Sequence, residues 1–298
     1  MKAEPRIRAF FDERTNTISY LVWDEAGGRG AIIDPVLDFI PASGEVRTES
    51  ANLILAAAAE EGVTIDWVLE THVHADHLSA AAFIRERTGA RVAISERIVE
   101  VQRFFAPLFG ASDVSGDGSE FDRLLADGDR IAIGALEAEA IAVPGHTPAD
   151  LAYRIGDCVF AGDSLFMPDF GTARTDFPGG DAKQLYRSIR RLLDLPGETR
   201  LFMCHDYKAP GRDDYAWETT VSKQLDGNLH LAGGVSEEAF VEMRRARDSK
   251  LPPPALLYPA IQVNIRAGRF PPPDPDGEVR LRLPAKLPAE AADSLTSG

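Results

Sequence analysis

Residues 1–235 read as an α/β unit: two β-sheets packed face to face with helices on their outer faces. Residues 236–298 read as a proline-rich extension lying against that core. Two observations carry the fold class: the chain holds two β-rich stretches, and each is accompanied by segments of helical spacing, so each sheet has helices to bury its outer face. A third fixes the extension, where Leu251-Pro252-Pro253-Pro254 and Phe270-Pro271-Pro272-Pro273 enforce extended, non-helical chain.

The first β-rich stretch, Arg8 to Asp34, divides into three strands. Ile18 to Trp23 alternates, turns fall at Glu13–Asn16 and Ala26-Gly27-Gly28, and Ala31-Ile32-Ile33-Asp34 stops at Pro35. Ser50 is placed to cap a helix that runs through Leu53-Ile54-Leu55-Ala56 to Gly62. Asp66 to Glu70 is a short apolar strand, and His77 to Thr88 has the spacing of a helix closed by Gly89. Ile131–Val143 and Leu151–Ala161 resemble hairpins turning at Gly134 and Gly156-Asp157. Asp181 to Leu193 is helical, Leu201-Phe202-Met203 is a buried strand, and Glu237 to Asp248 is a charged helix. The last dozen residues read as a frayed end.

Composition narrows the function. Hydrophobic residues make up 44% of the 298, enough for a sizeable core, and the net charge of -15 repels phosphate backbones and anionic membranes. Nucleic acid and membrane are therefore excluded as expected partners, although a local basic cluster could still hold an anionic small molecule. The longest apolar stretch, Ile54 to Ala59, is far too short to span a bilayer. Two cysteines form no disulfide framework and suit a reducing compartment, so the expected location is the cytoplasm. Cys158 and Cys204 read as small core residues within or at the end of apolar strands.

Five of the six histidines fall at predicted strand or helix ends. Thr71-His72-Val73-His74-Ala75-Asp76-His77 follows the strand ending at Glu70; Gly145-His146-Thr147 follows Val143; Gly162-Asp163-Ser164 follows Phe160; and Cys204-His205-Asp206 follows Met203. Adjacent strand ends are rigid supports on which metal ligands can converge. In extended chain His72 and His74 share one side, while Asp76-His77 turns to another as the helix begins. A lone histidine is more often a structural residue than a ligand, but H-x-H-x-D-H with further His and Asp at strand ends is a metal site. His230, in Asn228-Leu229-His230, has no such context and reads as structural.

This order (H-x-H-x-D-H, Gly-His, Gly-Asp, final His) resembles the metallo-β-lactamase superfamily over about residues 8 to 230. The resemblance implies an αββα sandwich of two mixed sheets flanked by helices. In its hydrolytic members it implies two metals: His72, His74 and His146 on one, Asp76, His77 and His205 on the other, Asp163 between them. The stretch Gly171-Thr172-Ala173-Arg174-Thr175-Asp176-Phe177, with His205-Asp206-Tyr207, is similar to the persulfide dioxygenases rather than the glyoxalase II thioesterases. That family implies one Fe(II) per chain on His72, His146 and Asp163, a two-histidine, one-carboxylate face with open positions. His74, Asp76, His77, His205 and Tyr207 would then orient ligands and move protons around glutathione persulfide and O₂. Met167-Pro168-Asp169-Phe170-Gly171-Thr172-Ala173 is longer than the corresponding segment of that family's short form. Together with the proline-rich tail it looks similar to a bacterial subgroup of β-lactamase-like hydrolases, which leaves the substrate open.

Arg174 either recognises a substrate carboxylate or pairs with Asp176, and Thr147 is expected beside the substrate. The rival readings are a two-zinc hydrolase of the glutathione thioesterase type and a non-enzymatic metal-binding module. The sequence is compatible with a homodimer and does not decide the point.

Overall fold

The computed structural model describes residues 4–288 as fifteen strands and seven helices. The first half holds β1 (Arg6–Asp12), β2 (Thr17–Trp23), β3 (Arg29–Ile33), β4 (Val36–Ile40), β5 (Glu45–Arg47), α1 (Glu49–Glu60), β6 (Thr64–Leu69), β7 (Leu78–Ser79), α2 (Ala81–Thr88), β8 (Arg91–Ser95), α3 (Ile98–Phe109) and β9 (Arg123–Leu125). The second half holds β10 (Arg130–Ile133), β11 (Leu136–Ala142), β12 (Leu151–Ile155), β13 (Cys158–Phe160), α4 (Ala182–Leu193), β14 (Arg200–Phe202), β15 (Glu218–Thr220) and α5 (Val221–Gly227). The extension adds α6 (Glu237–Asp248) and α7 (Leu257–Asn264).

Two six-stranded mixed sheets result, in the orders β1-β2-β3-β6-β8-β9 and β10-β11-β12-β13-β14-β15, with a small sheet β5-β4-β7 beside them. Side-chain alternation divides each central strand between two cores. In β2, Ile18, Tyr20 and Val22 enter the layer between the sheets, whereas Leu21 and Trp23 face α1 and its neighbours. In β12, Leu151, Tyr153 and Ile155 meet them from the other side, and Ala152 turns outward. Tyr20, Phe160 and Phe202 form the centre of the inter-sheet layer with ring centroids 5.1–5.6 Å apart. Each such buried aromatic contributes about 1.5–3 kcal/mol. The sheets are also joined at the edge of the site, where Ile18 N–H donates to Cys204 O at 2.7 Å.

Three expectations change. Ser50 does not cap α1: the helix already begins at Glu49, and the Ser50 hydroxyl reaches the Asp38 carboxylate at 2.8 Å. The expected helix from His77 starts only at Ala81, because Leu78 and Ser79 first pair with β4. The proline runs at 251–254 and 270–273 are non-helical as expected, but a helix, α7, lies between them. That helix accommodates Pro259 in the first turn, where no intrahelical N–H is lost.

The extension forms no separate body. Phe240 of α6 joins the core outside the second sheet, and Ala260, Ile261 and Val263 of α7 join the core outside the first. Residues 289–298, where the frayed end was expected, lie outside the described residues. Among the described residues no helix is long and apolar enough to cross a membrane.

Candidate metal centre

The predicted ligands converge at one end of the two sheets. His72, His146 and Asp163 form one group, with ligand atoms all within 4.8 Å of one another. The Nε2 atoms of His72 and His146 lie 3.9 and 3.7 Å from the same Asp163 oxygen. His74, Asp76, His77 and His205 form a second group. The other Asp163 oxygen stands 3.3 Å from His205 Nε2, so this one carboxylate faces both groups.

Backbone conformation brings these loops together. Gly145 has φ 145°, and a Cβ there would lie 2.3 Å from Leu185 N, so only glycine lets the loop before His146 rest on α4. Asp181 caps that helix by accepting from Gln184 N–H.

Three histidines have their ring orientation set by acceptors on Nδ1. The Thr71 hydroxyl donates to Asp34 at 2.8 Å and so can only accept from His72 Nδ1–H at 3.0 Å. His146 Nδ1 donates to Arg174 O at 2.8 Å, and His205 Nδ1 to Asn16 O at 3.1 Å. Each ring therefore turns its Nε2 to the centre, the atom that a metal would take in its unprotonated form. Burial, then His74 and His146, holds the His72 imidazole well below its ordinary pKa, which keeps it neutral. Burial likewise lowers His205, but Asp163 and Asp76 outweigh it and leave that ring raised.

Buried polar atoms that make no hydrogen bond include His72 Nε2, His77 Nε2, His205 Nε2, both ring nitrogens of His74 and Asp163 Oδ1. Such atoms are costly unless something binds them. Their convergence on one space, with imidazole and carboxylate donors, fits a resident transition metal.

Tyr207 is half-exposed at the mouth, its ring stacked on His205 at 5.6 Å and flanked by Phe166 and Phe170. Burial of its hydroxyl end, then Asp76 and Asp163, pushes the phenol well above its ordinary pKa, so it remains a proton donor.

The structure places four further residues. The Thr147 hydroxyl and amide both engage Asp150, and the residue is fully buried, so its hydroxyl is not free for a substrate. Arg174 makes the structural pairing: Nε and Nη2 grip Asp176 at 2.6 and 2.7 Å, and Nη1 donates to Pro252 O. Cys204 is buried, yet its thiol groups with Asp163 and His205; burial, then Asp34 and Asp163, keeps it protonated. Asp34 was not singled out from sequence, and its carboxylate stands 3.0 Å from His74 Nε2. Its signal was available, an acid directly after the apolar strand β3. His230 lies against Gly171 and Thr172, where Nδ1 accepts from Thr172 N–H at 3.0 Å.

A cavity of about 160 Å³ opens beside His146, walled by Ala75, Phe177, the Arg174–Asp176 pair, and Leu251, Pro253 and Pro254 of the extension.

Comparison with known proteins agrees with this geometry. The family model of the metallo-beta-lactamase superfamily matches residues 13–205. A probable metallo-hydrolase of Burkholderia pseudomallei is 50% identical over 93% of this chain and 98% of its own length. The human mitochondrial persulfide dioxygenase ETHE1 is 28% identical over 88% of each chain. Among solved structures, ETHE1 from Myxococcus xanthus superposes with a TM-score of 0.70 at 35% identity, covering 89% of this chain and all of that one. With its sandwich of mixed sheets and its histidines and aspartates at the sheet ends, this chain belongs to the metallo-β-lactamase superfamily.

Proposed function

We propose that this enzyme is a persulfide dioxygenase that converts glutathione persulfide, O₂ and water to glutathione, sulfite and two protons, with one Fe(II) per chain held by His72, His146 and Asp163. One observation carries the choice over a two-zinc hydrolase. The ligand atoms of His72, His146 and Asp163 close into a group of their own, whereas His74, its ring 3.9 Å from that of His72, groups with Asp76, His77 and His205 and abuts Asp34. The first trio is left as two histidines and one carboxylate, a face that suits non-haem iron and O₂. The likeness to the two ETHE1 proteins supports the same reading. The name of the Burkholderia relative favours hydrolysis, and all seven ligands of a two-metal centre are present.

Bound by His72, His146 and Asp163, Fe(II) would supply the redox chemistry between a persulfide sulfur and O₂. The chain supplies placement and protons. Tyr207, protonated and half-exposed over His205, can donate a hydrogen bond to the persulfide or to the departing sulfite. Asp76 is held ionised: burial opposes this, but His205 and His77 outweigh it, so it can accept a hydrogen bond from water and orient it. The apolar wall of Phe177, Leu251, Pro253 and Pro254 limits water beside His146. No basic side chain of that cavity is free, because Arg174 already pairs with Asp176. We place the protein in the cytoplasm, a reducing compartment that suits its two free cysteines. Metal analysis after anaerobic purification tests the proposal: one iron per chain is expected, and two zincs per chain would overturn it.

A further inference from the structure

We propose that the C-terminal extension is part of the metal centre, and that its Asp248 and Asn264 are positioning residues for the ligand loops. The extension lies against the core, and the last residue of each of its helices reaches a ligand loop.

Asp248 ends α6. One of its carboxylate oxygens accepts from Thr175 N–H at 2.9 Å and from Thr175 Oγ1 at 3.0 Å. The N–H of Thr175 and the C=O of Arg174 belong to one peptide plane, and that C=O accepts from His146 Nδ1 at 2.8 Å. A carboxylate, a peptide and an imidazole thus run in line to the ligand atom His146 Nε2. This is the carboxylate–histidine arrangement of metal sites with a peptide plane inserted. The carboxylate polarises the peptide, and the carbonyl fixes both the tautomer and the tilt of the ring. Arg244 holds the other oxygen of Asp248 and donates to Thr172 O at 3.0 Å, so the loop is gripped at two points.

Asn264 ends α7 and is buried. Its Nδ2 donates to His74 O and His77 O, both at 2.9 Å, and its Oδ1 accepts from Ser79 N–H at 2.8 Å. Both donors of its amide go to the H-x-H-x-D-H segment, whose curl delivers four of the ligand candidates, and its oxygen holds Ser79 just beyond that segment. The two carbonyls can only accept, so the amide nitrogen is the one group of this size that serves them both. The turn that follows is seated by Gly268, where a Cβ would lie 2.8 Å from Ala82 N.

The proposal rests on the ligand assignment and stands whichever reaction the centre carries, so its test uses metal binding rather than turnover. The full chain is stripped of metal and titrated with Co(II), whose visible absorption reports coordination geometry. Asp248→Asn and Asn264→Asp are compared with Phe240→Leu and Ile261→Val, which loosen the same two helices in the core and touch no ligand loop. The first pair should bind Co(II) about 10- to 100-fold more weakly and shift its visible bands. The second pair should lower the melting temperature yet retain the unaltered affinity and spectrum. Where Asn264→Asp does not fold, Asn264→Ala removes the same two donors without adding charge. Unaltered affinity and spectrum in folded Asp248 and Asn264 variants would overturn the proposal, and so would equal weakening in the core variants.

Discussion

Replacing His230 by Asn should flatten the acid sensitivity of the metal-stripped protein. In the structure His230 is neutral by construction: its Nδ1 accepts from the Thr172 N–H, which a protonated ring cannot do. Burial, then Arg244 and Arg247, pushes its pKa down from 6.5 to about 4. The folded state therefore binds fewer protons than the unfolded chain between these values. The stability this ring contributes is fully present above pH 6.5 and is lost as the pH falls through about 4. The full gap is worth about 3 kcal/mol. Water reaches part of the ring's surroundings, which reduces the effect to about 1–2 kcal/mol. That corresponds to about 2–8 °C in melting temperature for a chain of this size. Asn places an oxygen near the Nδ1 position and does not titrate, so the Thr172 contact survives. Melting curves at pH 7 and pH 4 for both proteins give the test, with the remaining carboxylates common to both. Equal losses in the two would refute the reasoning.

The ligand reading makes the sharpest set of further predictions. His72→Ala, His146→Ala and Asp163→Ala should each empty the iron site, while His205→Ala should retain most of the iron; equal loss in all four, by metal analysis, would contradict a single-iron centre. Gly145→Ala must push a methyl into the backbone of α4 and should cost about 3 kcal/mol or more, read as a fall in melting temperature and soluble yield. Arg174→Lys cannot keep both the fork on Asp176 and the bond to Pro252 O, and should cost about 1 kcal/mol of stability with normal iron content. A rise in KM beyond about tenfold would instead show that the guanidinium leaves Asp176 for a substrate carboxylate.

Much of the site was legible because strand ends and ligands coincide in the chain. His72, His146, Asp163 and His205 each follow an apolar run, and the structure brings those runs to one end of the two sheets. What sequence spacing could not show is how two loops meet. The His72 and His74 rings lie 3.9 Å apart, yet the ligand atom of His72 groups with His146 and Asp163, while His74 groups with Asp76, His77 and His205 and stands 3.0 Å from the Asp34 carboxylate brought in by β3. Thr147 looked available beside His146, but Asp150, three residues on, takes its hydroxyl in a local turn. In the extension the two proline runs are non-helical as read, but α7 between them carried no signal: Pro259 sits in its first turn, and the burial of Ala260, Ile261 and Val263 outweighs propensity. Asn264 carries no motif, and its role becomes visible only when α7 docks behind the H-x-H-x-D-H segment.

The most direct test of the central claim is an oxygen-electrode trace of the anaerobically purified, iron-loaded protein given glutathione persulfide, with sulfite assayed in the same vessel and S-lactoylglutathione as the comparison substrate. One O₂ consumed for each sulfite released, with little thioester cleavage, is the predicted result. No oxygen uptake by fully iron-loaded protein, alongside rapid cleavage of the thioester, would contradict it.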